Sequence, residues 1–363
     1  MRLPLMLVPL LSLAATAAGA QTPPPGAPVT AATKAAVVDA LGRQLKSQYV
    51  FPETAAKVTA VLSAKLKHGD YDAAATGDAF GDALTRDLRE IGKDGHFRVR
   101  FAPDFKPDSS GDGQAMTAEQ VARLRQETAQ RAFGINRVQR LPGNVGYLDI
   151  RGFGPTAVVA PAYTSAITLL SGTDALIIDL RQNGGGEPES VAWLLSHFFA
   201  EGDARHLNDI YTRSDNETRS YWTDPAAPIR YTRPIYVLTS RDTFSGGEEC
   251  AYDLQTQKRA TLIGETTGGG ANPGDYAMLG QGFVAFIPTG RAINPITKTN
   301  WEHVGVTPDV AVPAAAAMKT AYGTILKTLI AKATDPRDRE GLTGTLASLE
   351  KDEIQLPVYT PRR

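Results

Sequence analysis

The sequence predicts an α/β protein in which a small helical bundle precedes a mainly parallel β-sheet. The first observation is a stripe of apolar residues that recurs every four positions between residues 30 and 92, as in amphipathic helices. The second is a change after about residue 143, where continuously apolar segments such as "DALIIDLR" alternate with helical ones. Strands of that kind are typical of parallel sheets that helices cover on both faces.

Residues 1–20 have the composition of a secretory signal peptide. One positive charge, Arg2, precedes an apolar run that ends in the small residues "AAGA". The run is short for a membrane span. We therefore predict cleavage after Ala20, a mature chain that begins at Gln21, and a periplasmic or secreted protein without stable membrane insertion.

Composition narrows the possible functions. The chain has 363 residues, of which 42% are hydrophobic and 21% charged, as in ordinary globular proteins. A formal net charge of −1 provides no basic field, so we expect no nucleic-acid partner. The one cysteine, Cys250, cannot form a disulfide within the chain, and we expect it to be buried in a helix.

The sequence patterns divide the chain into successive regions. A Pro-rich linker at 21–29 is followed by the helical bundle at 30–92, whose three stripes begin at Val37, Val58 and Phe80. We then expect an α/β core at 93–312 and C-terminal helices with a tail at 313–363. Within the core, "GKDGHFRVRFAP" predicts a short strand, and "TAEQVARLRQETAQRAFG" predicts a helix capped by Thr117.

The sheet of the core is predicted from four apolar segments separated by helices. The strands are "NVGYLDI", "DALIIDLR", "PIYVLTS" and "ATLIGE", and the helices between them are "TAVVAPAYTSAITLL", "PESVAWLLSHFF" and "EECAYDLQTQ". A hairpin in "DYAMLGQGFVAFIPTG", a short strand in "GVTPDVAV" and two C-terminal helices complete the prediction.

Three glycine-rich turns follow predicted strands: "RQNGGGEPES", "TFSGGEE" and "GETTGGGANPG". Turns after parallel strands emerge at the same edge of a sheet, where ligands bind. None of the three matches a phosphate-binding loop or a dinucleotide fingerprint. The five histidines show no metal-ligand spacing, so we expect neither a cofactor nor a metal.

The predicted helix after "LTSRDTFSGG" begins near Ser245, which permits two interpretations. Serine is a favoured helix cap, and Glu248 three positions later fits a capping box. Alternatively, Ser245 is a nucleophile, which requires a base because a serine hydroxyl is a weak nucleophile. His96, between a glycine turn and a strand in "KDGHFRV", is the candidate base.

Together these motifs resemble the tail-specific (carboxy-terminal-processing) serine protease family. The resemblance rests on "GHF", "IDLRQNGGG", "SRDTFSGGEECAYDLQ", "ATLIGETTGGGANP" and "NWEHVGVTPDV" in this order, and it covers roughly residues 30–312. It is strongest to the branch typified by interphotoreceptor retinoid-binding protein and the tricorn protease core. The resemblance implies a crotonase/Clp-protease-like core, and too little chain lies between residues 97 and 142 for the family's PDZ domain.

The resemblance also implies catalytic roles. Ser245 matches the nucleophile, His96 the general base, and Glu302 the acidic residue that orients the base. The tricorn core has a serine before its histidine as a bridge to the acid, whereas this chain has Gly95. Asp94 is therefore the alternative orienting acid, and Glu302 acts directly, through water, or not at all.

The glycine-rich turns match the rest of the family's site. The amide of Gly246 would form half of the oxyanion hole, and that of Gly185 the other half, with Gly186 as the alternative. A Ser–Lys branch of the family has a lysine in the third turn, where this chain has Gly270. Lys258 would lie roughly 20 Å from the nucleophile along one helix, so a Ser–His mechanism is favoured.

The sequence thus predicts an exported serine peptidase that hydrolyses peptides or proteins through an acyl-enzyme on Ser245. One alternative is a non-catalytic carrier of an apolar ligand, because the retinoid-binding relatives have this fold and fold does not determine function. An acyl-CoA enzyme with a crotonase-like core is the other, although it would not need a nucleophilic serine. Glu265 is interpreted as a structural charge.

Overall fold

A computed structural model describes residues 28–106 and 117–361. The predicted signal peptide, the cleavage after Ala20 and nearly all of the predicted linker lie outside these residues. The domain limits given above remain predictions, while the elements within them can be compared with the structure directly.

The N-terminal region consists of three helices, as predicted: α1 (Ala31–Gln48), α2 (Pro52–His68) and α3 (Gly77–Gly92). The hydroxyl of Thr30 accepts a hydrogen bond from the Thr33 amide at the start of α1. Helix α2 begins with a proline, whose missing amide hydrogen has no partner at that position anyway. The predicted apolar stripes form the buried faces of these helices.

A three-stranded antiparallel sheet packs against this bundle. Its order is β1-β10-β9, with β1 (Arg98–Phe101), β9 (Gly274–Gly280) and β10 (Phe283–Pro288). The hairpin predicted from sequence is therefore present as β9 and β10, and it pairs with the strand that follows His96. Its apolar side chains share one hydrophobic cluster with the three helices.

The central sheet has six strands in the order β12-β8-β7-β4-β3-β2. Five neighbouring strands of this sheet, β12, β8, β7, β4 and β3, run parallel, and β2 pairs antiparallel with β3. Their bounds are β2 (Ile135–Leu141), β3 (Val145–Ile150), β4 (Ala175–Asp179), β7 (Ile235–Thr239), β8 (Ala260–Gly264) and β12 (Val310–Ala311). The mainly parallel α/β core is confirmed.

Helices cover both faces of the central sheet. One face packs against α5 (Thr156–Leu170), α6 (Pro188–Ser196) and α7 (Gly246–Thr256), and the other against α8 (Ala314–Lys332) with α9 (Pro336–Glu350). Cys250 on α7 is fully buried, as predicted, and burial raises the pKa of its thiol. The Glu265 carboxylate accepts a hydrogen bond from the Ala314 amide, in agreement with a structural role.

A second antiparallel sheet was not predicted from the sequence. It has the order β11-β5-β6, with β5 (His206–Thr212), β6 (Glu217–Trp222) and β11 (Gly290–Ile293). Between β1 and β2 the described residues form helix α4 (Ala118–Ala129), capped by Thr117 as predicted, and one short 3-10 helix. The described part of this segment contains no PDZ domain. Among the described residues, no helix has the length and hydropathy needed to cross a bilayer.

Candidate active site

The three glycine-rich turns meet at the carboxyl edge of the central sheet, as the parallel topology requires. The turn after β4 contacts the turn after β7 at Gly185. A methyl group built on Gly185 would lie 2.7 Å from the Cβ of Ser245 and 2.9 Å from the amide nitrogen of Gly246. The φ of Gly185 is +95°, so only glycine fits this position without strain.

Ser245 has a backbone conformation that residues other than glycine rarely adopt. Its φ is 53° and its ψ is −124°, immediately before the first residue of α7. Holding a residue with a Cβ in this region of φ and ψ destabilises the folded protein by about 1–3 kcal/mol, and residues strained in this way cluster at functional sites. A sharp strand-to-helix turn of this kind exposes a nucleophile in front of the amides that begin the helix. This conformation is the one expected if Ser245 is a nucleophile as well as a helix cap.

The oxyanion donor expected in the turn after β4 needs correction. The amide of Gly185 donates a hydrogen bond of 2.8 Å to Asn183 Oδ1, so it is already engaged. A methyl group built on Gly246 would lie 3.1 Å from the Gly186 nitrogen, so these two glycines are in close contact. Gly186, the alternative in the sequence analysis, is the better partner for Gly246.

Glu248 has a larger role than the capping box suggested by the sequence. Its Oε2 accepts hydrogen bonds from the amides of Ser245 at 2.9 Å and Gly270 at 2.8 Å. Its Oε1 accepts from the Gly269 amide at 2.7 Å and from the Thr267 hydroxyl at 2.5 Å. The side chain is buried, and burial raises the pKa of the carboxyl against the effect of these four donors. Glu248 thus joins the turn after β7 to the turn after β8.

His96 lies beside Phe244, the residue that precedes Ser245. Its ring centroid is 4.6 Å from that of Phe244 and 6.1 Å from that of Phe286. Both ring nitrogens are buried without a hydrogen-bond partner among the described residues. The structure therefore does not contain the hydrogen bond between His96 and Ser245 that proton transfer needs. Such bonds often tighten only when substrate binds.

Gly270 makes room for the histidine. A methyl group at this position would lie 2.2 Å from Phe244 Cζ and 2.7 Å from His96 Cε1, and both distances are too short for any side chain. A lysine here, as in the Ser–Lys branch, would collide with the ring of His96. Lys258 is exposed and lies two residues beyond Thr256, the last residue of α7, rather than on the helix itself.

Both candidate acids approach the imidazole. Asp94 Oδ1 is 3.7 Å from His96 Nδ1 and accepts a 3.0 Å hydrogen bond from the His96 amide. Asp94 Oδ2 accepts hydrogen bonds from the Tyr49 hydroxyl and the Asn272 side chain. One nitrogen of His96 and one oxygen each of Asp94 and Glu302 lie within 4.8 Å of one another. The structure therefore brings the predicted acid and its alternative to the same ring.

Glu302 is held in the loop before β12. Its Oε2 accepts a hydrogen bond from the Ala271 amide at 2.5 Å, while its Oε1 is buried without a partner among the described residues. Burial raises the pKa of its carboxyl to about 8, and the negative charge of Asp94 adds to this effect.

A small cavity lies next to Ser245. Its volume is about 40 Å³, and its walls are mostly apolar or glycine residues of the three turns and of β11. Trp301 closes one side, and its indole nitrogen donates a hydrogen bond of 2.7 Å to the Gly270 carbonyl. Glu249, on the first turn of α7, contributes a buried carboxyl to the lining.

Comparison with known families agrees with this geometry. The model of peptidase family S41 matches residues 144–312, and the model of the N-terminal domain of peptidase S41 in eukaryotic IRBP matches residues 30–136. The two models together cover most of the chain between residues 30 and 312. The chain belongs to peptidase family S41. The family predicted from the sequence motifs is therefore confirmed.

Individual relatives match about half of this chain or less. The chloroplastic carboxyl-terminal-processing peptidase 2 of Arabidopsis thaliana is 30% identical over 193 residues, which is 49% of this chain and 35% of the relative. The carboxyl-terminal-processing protease of a Synechocystis strain is 31% identical over 129 residues, or 35% of this chain and 29% of the relative. The chain thus spans about a third of the length of the curated S41 relatives it matches.

Solved structures agree with the S41 fold. The crystal structure of a protein from Parabacteroides merdae is 20% identical, has a TM-score of 0.53, and covers 77% of this chain and 90% of that chain. Mature CPAF, solved with lactacystin, is 13% identical with a TM-score of 0.53, covering 87% and 99% of the two chains. At these identities the likeness establishes the fold alone.

Proposed function

We propose that this S41 protein is an exported serine peptidase that hydrolyses peptide bonds through a Ser245 acyl-enzyme, with His96 as the general base. The observation that carries the proposal is the conformation of Ser245, whose φ of 53° is at the start of α7 and against the turn after β4. The strained backbone lowers the stability of the folded protein, and a serine with an ordinary φ could pack equally well here. The strain is therefore explained by function rather than by packing.

The proposed reaction has two steps. His96 takes the proton of the Ser245 hydroxyl as the oxygen attacks the peptide carbonyl, and the resulting imidazolium then gives that proton to the leaving amine. The acyl-enzyme is hydrolysed when His96 removes a proton from water, which attacks the ester carbonyl. The bond to Ser245 then breaks, the imidazolium returns the proton to the Ser245 oxygen, and the new carboxylic acid leaves. The substrate is thus a peptide or protein, and no cofactor is needed.

The negative oxygen of each tetrahedral intermediate would be held by backbone amides. We assign these to Gly246 and Gly186, because the Gly185 amide already donates to Asn183. The N-terminus of α7 adds a favourable partial positive charge at the same point. One missing donor in such a site typically reduces kcat by about 10²–10³-fold.

The orienting acid is proposed to be Asp94 or Glu302, both of which approach the imidazole. An acid on Nδ1 would hold the tautomer in which Nε2 faces the nucleophile as a proton acceptor. Export to the periplasm or the cell exterior is proposed from the signal-like residues 1–20.

Labelling with a fluorophosphonate probe tests the proposal. The probe should modify the parent protein at Ser245 and leave Ser245→Ala unmodified, while Ser240→Ala, which changes another serine on the same connection, should still be labelled. A protein that hydrolyses peptides but remains unlabelled, with full activity in Ser245→Ala, would refute the assignment. A folded protein that is neither labelled nor active would favour the alternative of a ligand carrier.

A further inference from the structure

Asp94, His96 and Glu302 form a compact group of metal-ligating side chains. The three residues offer one nitrogen and two carboxylate oxygens that all lie within 4.8 Å of one another. They come from two loops that are far apart in sequence, and they converge beside Phe244.

These ligand atoms are buried and incompletely satisfied. The side chains of His96 and Glu302 are 9% and 8% exposed. Both ring nitrogens of His96 and the Oε1 atom of Glu302 lack a hydrogen-bond partner among the described residues. The two ring nitrogens point in different directions, so an ion can bind only one of them. A buried polar atom without a partner costs about 1–3 kcal/mol, so the unpartnered atoms of His96 and Glu302 call for an explanation.

The electrostatics of the group also favour a cation. Two carboxyl groups lie close together, and the hydrogen bonds that they receive come from neutral groups such as Tyr49, Asn272 and the Ala271 amide. The nearest basic side chain on Glu302 is the exposed His303, whose Nδ1 is 3.6 Å from Oε1. Like charges at this distance repel each other in a buried site. A doubly positive ion between them would replace that repulsion with attraction and would give a partner to one ring nitrogen of His96 and to the carboxylate of Glu302.

We propose that Asp94, His96 and Glu302 bind a zinc ion, and that this ion inhibits the enzyme. One imidazole and two carboxylates with a free fourth position suit Zn²⁺, whereas Ca²⁺ and Mg²⁺ prefer oxygen ligands alone. Bond lengths of about 2.0–2.2 Å in a tetrahedral site place two ligand atoms of one ion roughly 3.4 Å apart. Because the three ligand atoms lie within 4.8 Å of one another, the widest pair must approach by about 1.4 Å at most.

The inhibition follows from the tautomer of His96. Nδ1 is the nitrogen that faces Asp94, at 3.7 Å from Oδ1. Zinc on Nδ1 leaves the ring proton on Nε2, which then donates a hydrogen bond and cannot accept the proton of Ser245. This consequence rests on the proposed function, whereas binding of the ion does not.

Calorimetric titration of the full chain with zinc chloride tests the binding. We expect one site per chain in the parent and in Ser245→Ala, and an affinity at least tenfold lower in His96→Gln, Asp94→Asn and Glu302→Gln. The matched control is His68→Gln, which removes an exposed histidine with an aspartate at 2.5 Å and should leave binding unchanged. Millimolar magnesium should not compete.

A second arm separates the two proposals. Peptide hydrolysis by chelator-treated enzyme should fall with added zinc at the concentration that half-saturates the calorimetric site. Zinc binding by an inactive parent protein would refute the peptidase alone. Equal zinc affinity in His96→Gln and the parent, with both folded by circular dichroism, would overturn the zinc site. If His96→Gln does not fold, zinc anomalous scattering from crystals of the parent decides: a peak elsewhere refutes the site.

Discussion

The Ser245 amide donates a hydrogen bond of 2.9 Å to Glu248 Oε2, and the same carboxylate accepts from three further groups in the turn after β8. One side chain therefore determines both the strained turn at the candidate nucleophile and the position of Gly270 beside His96. A buried carboxylate destabilises the folded protein unless it is hydrogen-bonded, and so do buried donors without an acceptor. Removing an acceptor oxygen of Glu248 would therefore leave several of the four donors unsatisfied and destabilise the fold.

We predict that Glu248→Gln reduces both activity and stability. An amide replaces one acceptor oxygen with an NH₂ group, which would then face two donors. The unsatisfied donors should cost roughly 2 kcal/mol or more in unfolding free energy. Displacement of the Ser245 turn should lower kcat/KM by about tenfold to a hundredfold. Urea unfolding and peptide kinetics measure the two effects.

The control for this prediction is Glu340→Gln, which makes the same change at an exposed position on α9. It should shift the unfolding free energy by less than about 0.5 kcal/mol. If Glu248→Gln also changes the unfolding free energy by less than about 0.5 kcal/mol and leaves kcat/KM unchanged, the structural role assigned to Glu248 is refuted.

Local patterns predicted much of the fold, and they failed where pairing depends on tertiary contacts. The apolar strands of the parallel sheet and the helical stripes at 30–92 can be recognised from the hydrophobic pattern of short stretches of sequence. Strands β2, β5 and β6 were missed because they are half-exposed and carry charged side chains, as in "INRVQRL" and "ETRSYW". Only their partners in the sheet define them as strands.

The same limit applies to the site. The patterns made Ser245 a candidate nucleophile and His96 a candidate base, and the resemblance added Glu302, because each lies in a recognisable motif. The engagement of the Gly185 amide by Asn183 and the approach of Asp94 to His96 depend on side-chain geometry. Contacts such as that between Asp94 and Asn272 join positions 178 residues apart, and no local pattern records them.

We predict that Gly270→Ala disrupts the candidate base. The added methyl group would lie 2.2 Å from Phe244 and 2.7 Å from His96, so one of the two rings must move. Overpacking of this kind costs about 1–3 kcal/mol, and displacement of His96 should reduce kcat/KM at least tenfold. Thermal unfolding and peptide kinetics are the measurements. Gly172→Ala, with no atom within 4 Å of the added methyl, is the control and should be neutral.

The distances predict that Asp94 orients His96 more strongly than Glu302 does. Asp94 is almost fully buried, accepts a hydrogen bond from the His96 amide, and lies 3.7 Å from His96 Nδ1, so a small approach would complete the hydrogen bond to the ring. Asp94→Asn should therefore lower kcat/KM about a hundredfold or more, and Glu302→Gln less. The rate of fluorophosphonate labelling of Ser245 should follow the same order. If Glu302→Gln has the larger effect at equal thermal stability, Glu302 is the orienting acid.

The cavity beside Ser245 predicts a small residue at the position before the cleaved bond. Its volume of about 40 Å³ has room for roughly three water molecules, and Trp301 and the turn glycines restrict it. Alanine or serine at that position should be cleaved at least tenfold faster than phenylalanine. A peptide series that differs only at that residue measures this preference. Faster cleavage after phenylalanine would mean that the cavity does not receive the substrate side chain.

The last prediction concerns Glu249 and Asp253, which lie one turn apart on α7 and are both buried. Burial raises the pKa of Glu249 to about 7, and it raises the pKa of Asp253 as well. A carboxyl whose pKa is higher in the folded than in the unfolded state binds its proton more tightly when folded. The stability that it contributes is present at a pH below its unfolded-state pKa of about 4.5 and is lost as pH rises through 7.

Between pH 5 and pH 8, the unfolding free energy of Glu249→Gln should therefore fall by about 2 kcal/mol less than that of the parent, as measured by urea unfolding at each pH. Glu340→Gln, at an exposed site, should keep the slope of the parent. A Glu249→Gln protein with the parent's slope would show that Glu249 is already ionised in the folded protein at pH 5.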